Sequence, residues 1–368
     1  MERIRLIISG GGTGGHIFPA ISIANAIKEL RPDADILFVG AQGKMEMEKV
    51  PAAGYRIIGL PVAGLQRKLS AKNFLLPFKV IGSLCKARRI IKEFKPQVAV
   101  GVGGYASAPL LWSASRRGIP CVIQEQNSFA GLTNRILAKR ARRICTAYEG
   151  MEKFFPADKI LLTGNPIRKE IDRVTLQQKE EGYAYYGLDP KKKTVFIVGG
   201  SLGCGTLNRT MRKWVEEGGS EKDYQVIWQC GRFYKASTDA FLSGKNIPNL
   251  VCTDFIQRID LAYAVADVIV SRAGAGTISE LCVAGKATIF VPSPNVAEDH
   301  QTHNAMALVN KGAARIVRDD RAQESLIGEM ESLLADPQAI LSLESNILEL
   351  GRKDAALRIA QEVLSQIE

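Results

Sequence analysis

At 368 residues the chain is long enough for two domains of ordinary size, each with its own core. Hydrophobic residues make up 46% and charged residues 24%, which excludes a disordered chain and a disulfide-stapled miniprotein. The net charge of +11 is uneven: residues 1–166 hold 25 Lys+Arg against 11 Asp+Glu, while residues 167–368 hold 24 against 27. The first half therefore suits an anionic partner, whether nucleic acid, an anionic membrane surface or a phosphorylated substrate.

In chain order, β-rich runs are predicted at Ile4–Ser9, Ile36–Val39, Tyr55–Leu60, Val98–Val102, Cys121–Gln124, Ile144–Ala147 and Ile160–Thr163. A second series follows at Thr194–Val198, Tyr224–Gln229, Leu250–Phe255, Val268–Ser271, Thr288–Val291 and Arg315–Val317. Helical stretches separate them. Several runs are apolar throughout, as strands buried on both faces must be. Strand–helix alternation of this kind predicts an α/β fold with doubly wound parallel sheets, and two series predict two Rossmann-like domains. The join is placed at Gly164-Asn165-Pro166, and a last helix follows the breaker Gly351.

No apolar run of roughly 18 residues occurs, so no transmembrane helix is expected. The first residues lead directly into a strand, without a signal-peptide core. Seven scattered cysteines, never in CxxC, suit a reducing compartment, with most of them read as small core residues.

Both halves open with a strand that runs into a glycine loop and then a helix. The first loop, Gly10-Gly11-Gly12-Thr13-Gly14-Gly15-His16, fits G-x-G-x-x-G. Its glycines let the backbone approach an anion at a helix N-terminus. The acid that a dinucleotide fold places after its second strand is missing from Phe38-Val39-Gly40, which disfavours NAD. His16 starts the helix, where the positive dipole end favours the neutral imidazole; it is either a general base or a loop-bonding histidine. Gly101 to Ser107, containing Gly103, Gly104 and Tyr105, is a second candidate phosphate cradle. Gln124-Glu125-Gln126-Asn127, at a strand terminus, suits a polyhydroxylated ligand.

In the second half, Gly199-Gly200-Ser201-Leu202-Gly203 matches the G-x-S-x-G elbow of hydrolases. An elbow would leave the first glycine loop without a role, so Ser201 is read as a phosphate contact. The segment Ser271 to Glu280 is a third strand–loop–helix unit. There Thr277 and Glu280 form either a capping box or, through Glu280, a ribose-diol acceptor. Around His300 and His303 the spacing is too weak for a metal, and Asp299 is read as a helix cap with Gln301 directed at a ligand. Asp33-Ala34-Asp35 has the D-x-D form of metal-using transferases but precedes its strand, at the wrong end of the sheet, and is read as turn chemistry.

Residues Arg67 to Lys95 carry nine Lys+Arg against one Glu, with Lys72, Leu75, Leu76, Phe78, Lys79, Val80 and Ile81 clustered within. This is either an interfacial segment for an anionic leaflet or a helix whose apolar stripe joins the core.

Taken in order and spacing, these pieces closely resemble the MurG family of N-acetylglucosaminyltransferases. The matching residues are Gly11 to His16 with Phe18-Pro19-Ala20, Gly103-Gly104-Tyr105, Glu125-Gln126-Asn127, Gly164-Asn165-Pro166 and Arg168. They continue with Gly199-Gly200-Ser201, Ser271-Arg272-Ala273-Gly274 with Glu280, and His300-Gln301 with Asn304-Ala305. The resemblance implies a GT-B fold, two Rossmann-like domains facing across a cleft. Residues 1–165 would face acceptor and membrane, residues 166–352 would bind the UDP-sugar, and residues 353–368 would return to the first domain. It implies inverting transfer of N-acetylglucosamine from UDP-N-acetylglucosamine to the C4 hydroxyl of the muramoyl sugar of lipid I, giving lipid II.

Carried over residue by residue, Arg168, Ser201, Ile256, Ala275, Gly276, Thr277, Glu280 and Gln301 would hold the donor, with Thr13, Gly14, Gly15 and Asn127 on its sugar. Gly276 stands where the family usually has an apolar residue. Gly12, Gly103, Gly104 and Tyr105 would meet the acceptor pyrophosphate. His16 is the first candidate base and Glu125 the second. No obligatory metal is implied, although divalent stimulation is compatible with the family. The basic-apolar segment would hold the protein on the cytoplasmic face of the bacterial cell membrane. Three rivals are a GT-B transferase for another acceptor, a dinucleotide oxidoreductase and a basic nucleic-acid-binding protein. The last lacks both a helix-turn-helix and an aromatic stacking motif, and no nucleic-acid partner is expected.

Overall fold

A computed structural model of the chain describes residues 4–62, 76–200 and 202–367, with side chains described from Val80 onward along the helix that begins at Leu76. The chain forms two compact units, Met1–Ile167 with Lys353–Glu368, and Arg168–Arg352.

In the first unit β1 (Arg5–Ser9), α1 (Gly14–Leu30), β2 (Asp35–Ala41), α2 (Glu46–Ala52), β3 (Arg56–Leu60) and α3 (Leu76–Phe94) follow one another. They are succeeded by β4 (Val98–Gly101), α4 (Ser107–Ser115), β5 (Cys121–Glu125), α5 (Leu132–Leu137), β6 (Arg143–Thr146) and β7 (Ile160–Leu162). The seven strands form one parallel sheet in the order β3-β2-β1-β4-β5-β6-β7. Leu6, Ile7 and Ile8 of β1 and Val98, Ala99 and Val100 of β4 are fully buried. Their unbroken apolar runs reflect helices covering both faces of the sheet.

The second unit contains α6 (Leu176–Tyr186), β8 (Lys193–Val198), α7 (Gly205–Glu216), β9 (Tyr224–Gln229), α8 (Lys235–Leu242), β10 (Leu250–Thr253) and α9 (Ile259–Val265). It continues with β11 (Val268–Ser271), α10 (Ala275–Ala284), β12 (Thr288–Phe290), α11 (His300–Val309), β13 (Arg315–Ile316), α12 (Ala322–Leu334) and α13 (Pro337–Glu349). Its six strands are parallel in the order β10-β9-β8-β11-β12-β13. All thirteen expected strands form, within a residue or two of the sequence boundaries. Each half is therefore a Rossmann-like, doubly wound sheet.

The last helix, α14 (Ala355–Ser365), joins the first unit. Its Ile359, Ala360 and Val363 enter the same core as Ile17, Ala20 and Ile27 of α1, and Glu362 pairs with Arg143 at 3.2 Å. The D-x-D residues are occupied locally: Asp33 binds Arg31 and Asp35 binds Arg56.

Both sheets reverse their strand order once. In the first the reversal lies between β1 and β4, where Ser9 pairs with Gly101. In the second it lies between β8 and β11, where Val198 pairs with Ser271. The loops leaving the carboxyl ends of two adjacent strands diverge there, which opens the crevice in which open α/β sheets bind ligands. The loops at the two switch points begin at Gly10 and Val102 in one unit and at Gly199 and Arg272 in the other, so all four glycine segments lie at these positions.

Candidate active site

The first loop is shaped by a carboxylate that the sequence did not announce. Glu46, the first residue of α2, is fully buried. Its Oε1 accepts the Ala41 amide at 2.8 Å and its Oε2 accepts the Gly12 amide at 3.0 Å. Gly11 and Gly40 make room for it: a Cβ on Gly11 would stand 2.1 Å from Oε1, and one on Gly40 would stand 2.5 Å from Cγ. Gly12 has φ +88°, a conformation that glycine adopts without a Cβ penalty.

His16 sits in the first turn of α1, with its Nδ1 3.2 Å from the Gly11 carbonyl oxygen and 3.4 Å from Thr13 Oγ1. A carbonyl only accepts, so this contact places the proton of a neutral ring on Nδ1 and makes Nε2 the basic nitrogen. Nε2 lies toward the second glycine loop, where a Cβ on Gly103 would be 2.9 Å from it. A Cβ on Gly104 would be 2.3 Å from the Gly11 oxygen. The loops after β1 and β4 thus lie in direct contact. Buried Ser107 bridges them, with its hydroxyl 2.9 Å from the Ser9 carbonyl and 2.8 Å from that of Gly103. Phe18 and Tyr105 remain exposed beside these loops.

The polar cluster at the carboxyl end of β5 faces inward. Gln124, Glu125 and Gln126 are all buried. Glu125 accepts from the Asn127 and Gly131 amides, each at 3.0 Å, and from the side chains of Asn127 at 3.3 Å and Asn134 at 2.8 Å. Burial raises its pKa, and these donors partly offset the rise. Gln126 donates to the Val102 carbonyl, Gln124 donates to Asn165, and Asn165 donates to the Gln126 carbonyl. The cluster holds the loops that surround it.

In the second unit, Gln229 shapes the loop after β8 by accepting the Gly199 amide at 3.1 Å and donating to the Gly200 carbonyl at 2.9 Å. A Cβ on Gly203 would lie 2.1 Å from the Cys230 carbonyl oxygen, so this loop meets the one after β9 backbone to backbone. After β11, α10 begins with Gly274 as its N-cap. Its first amides have no acceptor within the helix and form a positive end. One turn further on, Glu280 is nearly buried and binds Arg168 through two hydrogen bonds of 2.7 Å. Buried Tyr263 donates to Glu280 at 3.2 Å, and burial followed by the Glu280 charge keeps its phenol protonated.

The chain matches the glycosyltransferase family 28 N-terminal domain over residues 6–146 and the family 28 C-terminal domain over residues 194–359. It is 52% identical over 368 residues to the UDP-N-acetylglucosamine--N-acetylmuramyl-(pentapeptide) pyrophosphoryl-undecaprenol N-acetylglucosamine transferase of Parabacteroides distasonis, covering 100% of both chains. It is 55% identical to the transferase of the same name from Bacteroides fragilis, covering 99% of this chain and 96% of that one. The crystal structure of Acinetobacter baumannii MurG superposes with a TM-score of 0.80 at 27% identity, covering 98% of this chain and 99% of the other. The chain belongs to the MurG family.

Among the residues carried over from the MurG family, His16, Gly103 and Gly104 come together, as do Arg168 and Glu280. Thr13 is the N-cap of α1, and Gly14 and Gly15 form its first turn. Ala275, Gly276 and Thr277 open α10, with Gly276 exposed. Ile256 is buried, so its side chain belongs to the core. The Gln301 side-chain oxygen accepts the Ser293 amide at 2.8 Å. Ser201, Lys72 and Leu75 lie outside the described residues, and Leu76, Phe78 and Lys79 are described only as helical backbone.

Several expectations are corrected. Gly12 has its amide taken by Glu46, so it is not an anion contact in this conformation. Glu125, the second base candidate, has both oxygens occupied beneath the surface and organises a loop. Thr277 is not a cap, because the helix begins three residues earlier at Gly274, and the Glu280 carboxylate is engaged by Arg168 instead. Asp299 does occupy the N-cap position of α11, but its φ is +48° and its side chain makes no capping bond; it accepts from Thr302. A capping side chain needs the extended backbone that this residue lacks. The sequence reading missed Glu46, Gln229 and Tyr263. Only the glycines opposite Glu46 hint at a bulky neighbour.

Along α3, Ala87, Ile90 and Ile91 join the core, while Val80, Ile81, Arg88 and Arg89 are exposed. One face of the helix thus joins the core, as the second reading of this segment expects, and the opposite face is solvent-exposed. Among the described residues no helix is long and apolar enough to cross a membrane, and no cluster of three or more His, Cys, Asp or Glu could hold a metal ion.

Proposed function

We propose that the chain transfers N-acetylglucosamine from UDP-N-acetylglucosamine to the C4 hydroxyl of the muramoyl sugar of undecaprenyl-pyrophosphoryl-linked lipid I, with inversion, to give lipid II for peptidoglycan. The observation that carries this reading is full-length identity of 52–55% to transferases named for this donor and acceptor. His16 supports it, because a base must take the C4 proton and the Gly11 carbonyl leaves Nε2 able to accept one.

The chemistry is a single displacement at the anomeric carbon. The proton of the attacking hydroxyl passes to His16 Nε2, and the bond to UDP breaks with its electron pair on the diphosphate. Charge on the departing UDP is met by the amino-terminal ends of α7 and α10 and by Arg168. Glu280, held by Arg168 and Tyr263, takes the ribose hydroxyls, with the backbone at Ile256 and the side chain of Gln301 completing the uridine-diphosphate site. Gly103, Gly104 and Tyr105 serve the acceptor pyrophosphate. No metal is required by this scheme, and a divalent cation acts at most as a stimulant.

The charge excess of residues 1–166 and the exposed Val80, Ile81, Arg88 and Arg89 along α3 support peripheral attachment to an anionic leaflet on the cytoplasmic side, where the lipid acceptor would be met. Transfer of radiolabel from UDP-N-acetylglucosamine to a short-chain lipid I analogue, with and without EDTA, tests the reaction. Transfer is expected to persist in EDTA, reduced at most by the loss of stimulation. Folded, UDP-binding protein that transfers nothing to this acceptor would refute the assignment.

A further inference from the structure

The peptide joining Gly11 to Gly12 has a partner at each end. Its N–H donates to the buried Glu46 carboxylate at 3.0 Å, and its C=O lies 3.2 Å from His16 Nδ1. In a trans peptide these two groups point in opposite directions, and no cis bond occurs among the described residues. Glu46, one peptide plane and His16 therefore form a line. Burying a carboxylate is costly unless it is bonded, and here both oxygens are spent on backbone amides, one in the loop after β1 and one at the last residue of β2. A charged acceptor on the N–H polarises the peptide and strengthens its carbonyl as an acceptor, since hydrogen bonds in series reinforce one another.

We propose that Glu46 is a positioning residue for His16. It holds the Gly11–Gly12 peptide so that the Gly11 carbonyl keeps the proton on Nδ1 and Nε2 faces the reaction as the base. The arrangement corresponds to a carboxylate–histidine pair with a peptide unit inserted, in which the carboxylate sets tautomer and ring orientation without touching substrate. Gly11 and Gly40 are glycines because the carboxylate and its stem occupy the space their side chains would need. The role of Glu46 in turnover rests on the reading of His16 as base; its control of the tautomer does not.

The test uses nitrogen-15 NMR of the imidazole rings in the full-length protein. The chain has three histidines, so the signals lost in His16→Ala identify His16. In the wild type, Nδ1 is expected protonated and Nε2 unprotonated. In Glu46→Gln the amide nitrogen replaces one acceptor oxygen, and the ring is expected to shift toward the Nε2–H form. kcat should fall about 10–100-fold with KM for UDP-N-acetylglucosamine nearly unchanged. Gly40→Ala displaces the same carboxylate from β2, outside the loop, and should reproduce both effects if Glu46→Gln fails to fold. A His16 tautomer unchanged in the folded variants would overturn the proposal. A shifted tautomer with kcat unchanged would uphold the positioning and overturn the base reading, as would a fully active His16→Ala.

Discussion

Arg168 and Glu280, 112 residues apart in the chain, meet through two hydrogen bonds of 2.7 Å in a fork-to-carboxylate pair. Family resemblance sends both to the donor, and the structure adds that they hold each other, with Tyr263 as a third partner. Glu280→Gln removes the charge that binds Arg168 and that, in the proposed donor site, would take the ribose hydroxyls. It should weaken UDP binding roughly 10–100-fold, the worth of about 1.5–3 kcal/mol for a hydrogen bond to a charged group. Tyr263→Phe should weaken it less. Isothermal titration with UDP measures both; unchanged affinity in Glu280→Gln would remove Glu280 from the donor site.

His16→Ala should lower kcat by about 10²–10⁴, the usual worth of a positioned general base, with donor affinity retained. Single-turnover transfer to a lipid I analogue, paired with UDP titration, separates the two quantities. A loss confined to KM would place His16 in binding instead.

Glu125 should behave as a stability residue. Glu125→Ala leaves two backbone amides and two asparagine side chains without their buried acceptor, at a cost of about 3 kcal/mol. The melting temperature should fall by on the order of 6–12 °C. Loss of turnover in a variant that melts like the wild type would return Glu125 to the chemistry.

Lys286 gives the second unit a distinctive alkaline response. It is buried, pairs with Glu344 at 3.3 Å, and burial lowers its pKa against the partial opposition of Glu344. Between that lowered value and the ordinary 10.5, the unfolded chain binds the proton that the folded protein has lost. Stability from this site therefore rises with pH in that interval and is lost as pH falls through the folded value. Melting curves across the alkaline range should show this rise in the wild type and lack it in Lys286→Met. Parallel curves would show that Lys286 is not the source.

The sequence by itself determined the two parallel sheets and the placement of the glycine loops at their carboxyl ends. Apolar runs spaced by helices admit few other arrangements, and glycine-rich turns stand out because few residues adopt their backbone. It also carried the family, since many short pieces in fixed order constrain one another. The family resemblance sent the last helix back to the first domain, but periodicity did not, because an amphipathic helix after a breaker fits either core; its packing on α1 through Ile359, Ala360 and Val363 came only from the tertiary structure.

The same holds for the polar side chains. Gln124-Glu125-Gln126 reads as a ligand-facing set in one dimension, yet folds inward because buried loop amides need acceptors. Glu46 and Glu48 are indistinguishable in the stretch Lys44 to Val50; only the approach of the Gly12 amide, 34 residues away in sequence, makes one of them part of the site. Sequence periodicity reports which face of an element is buried. Which polar group meets which depends on distances of a few ångströms between segments remote in the chain, and those exist only once the sheets have closed over their cores.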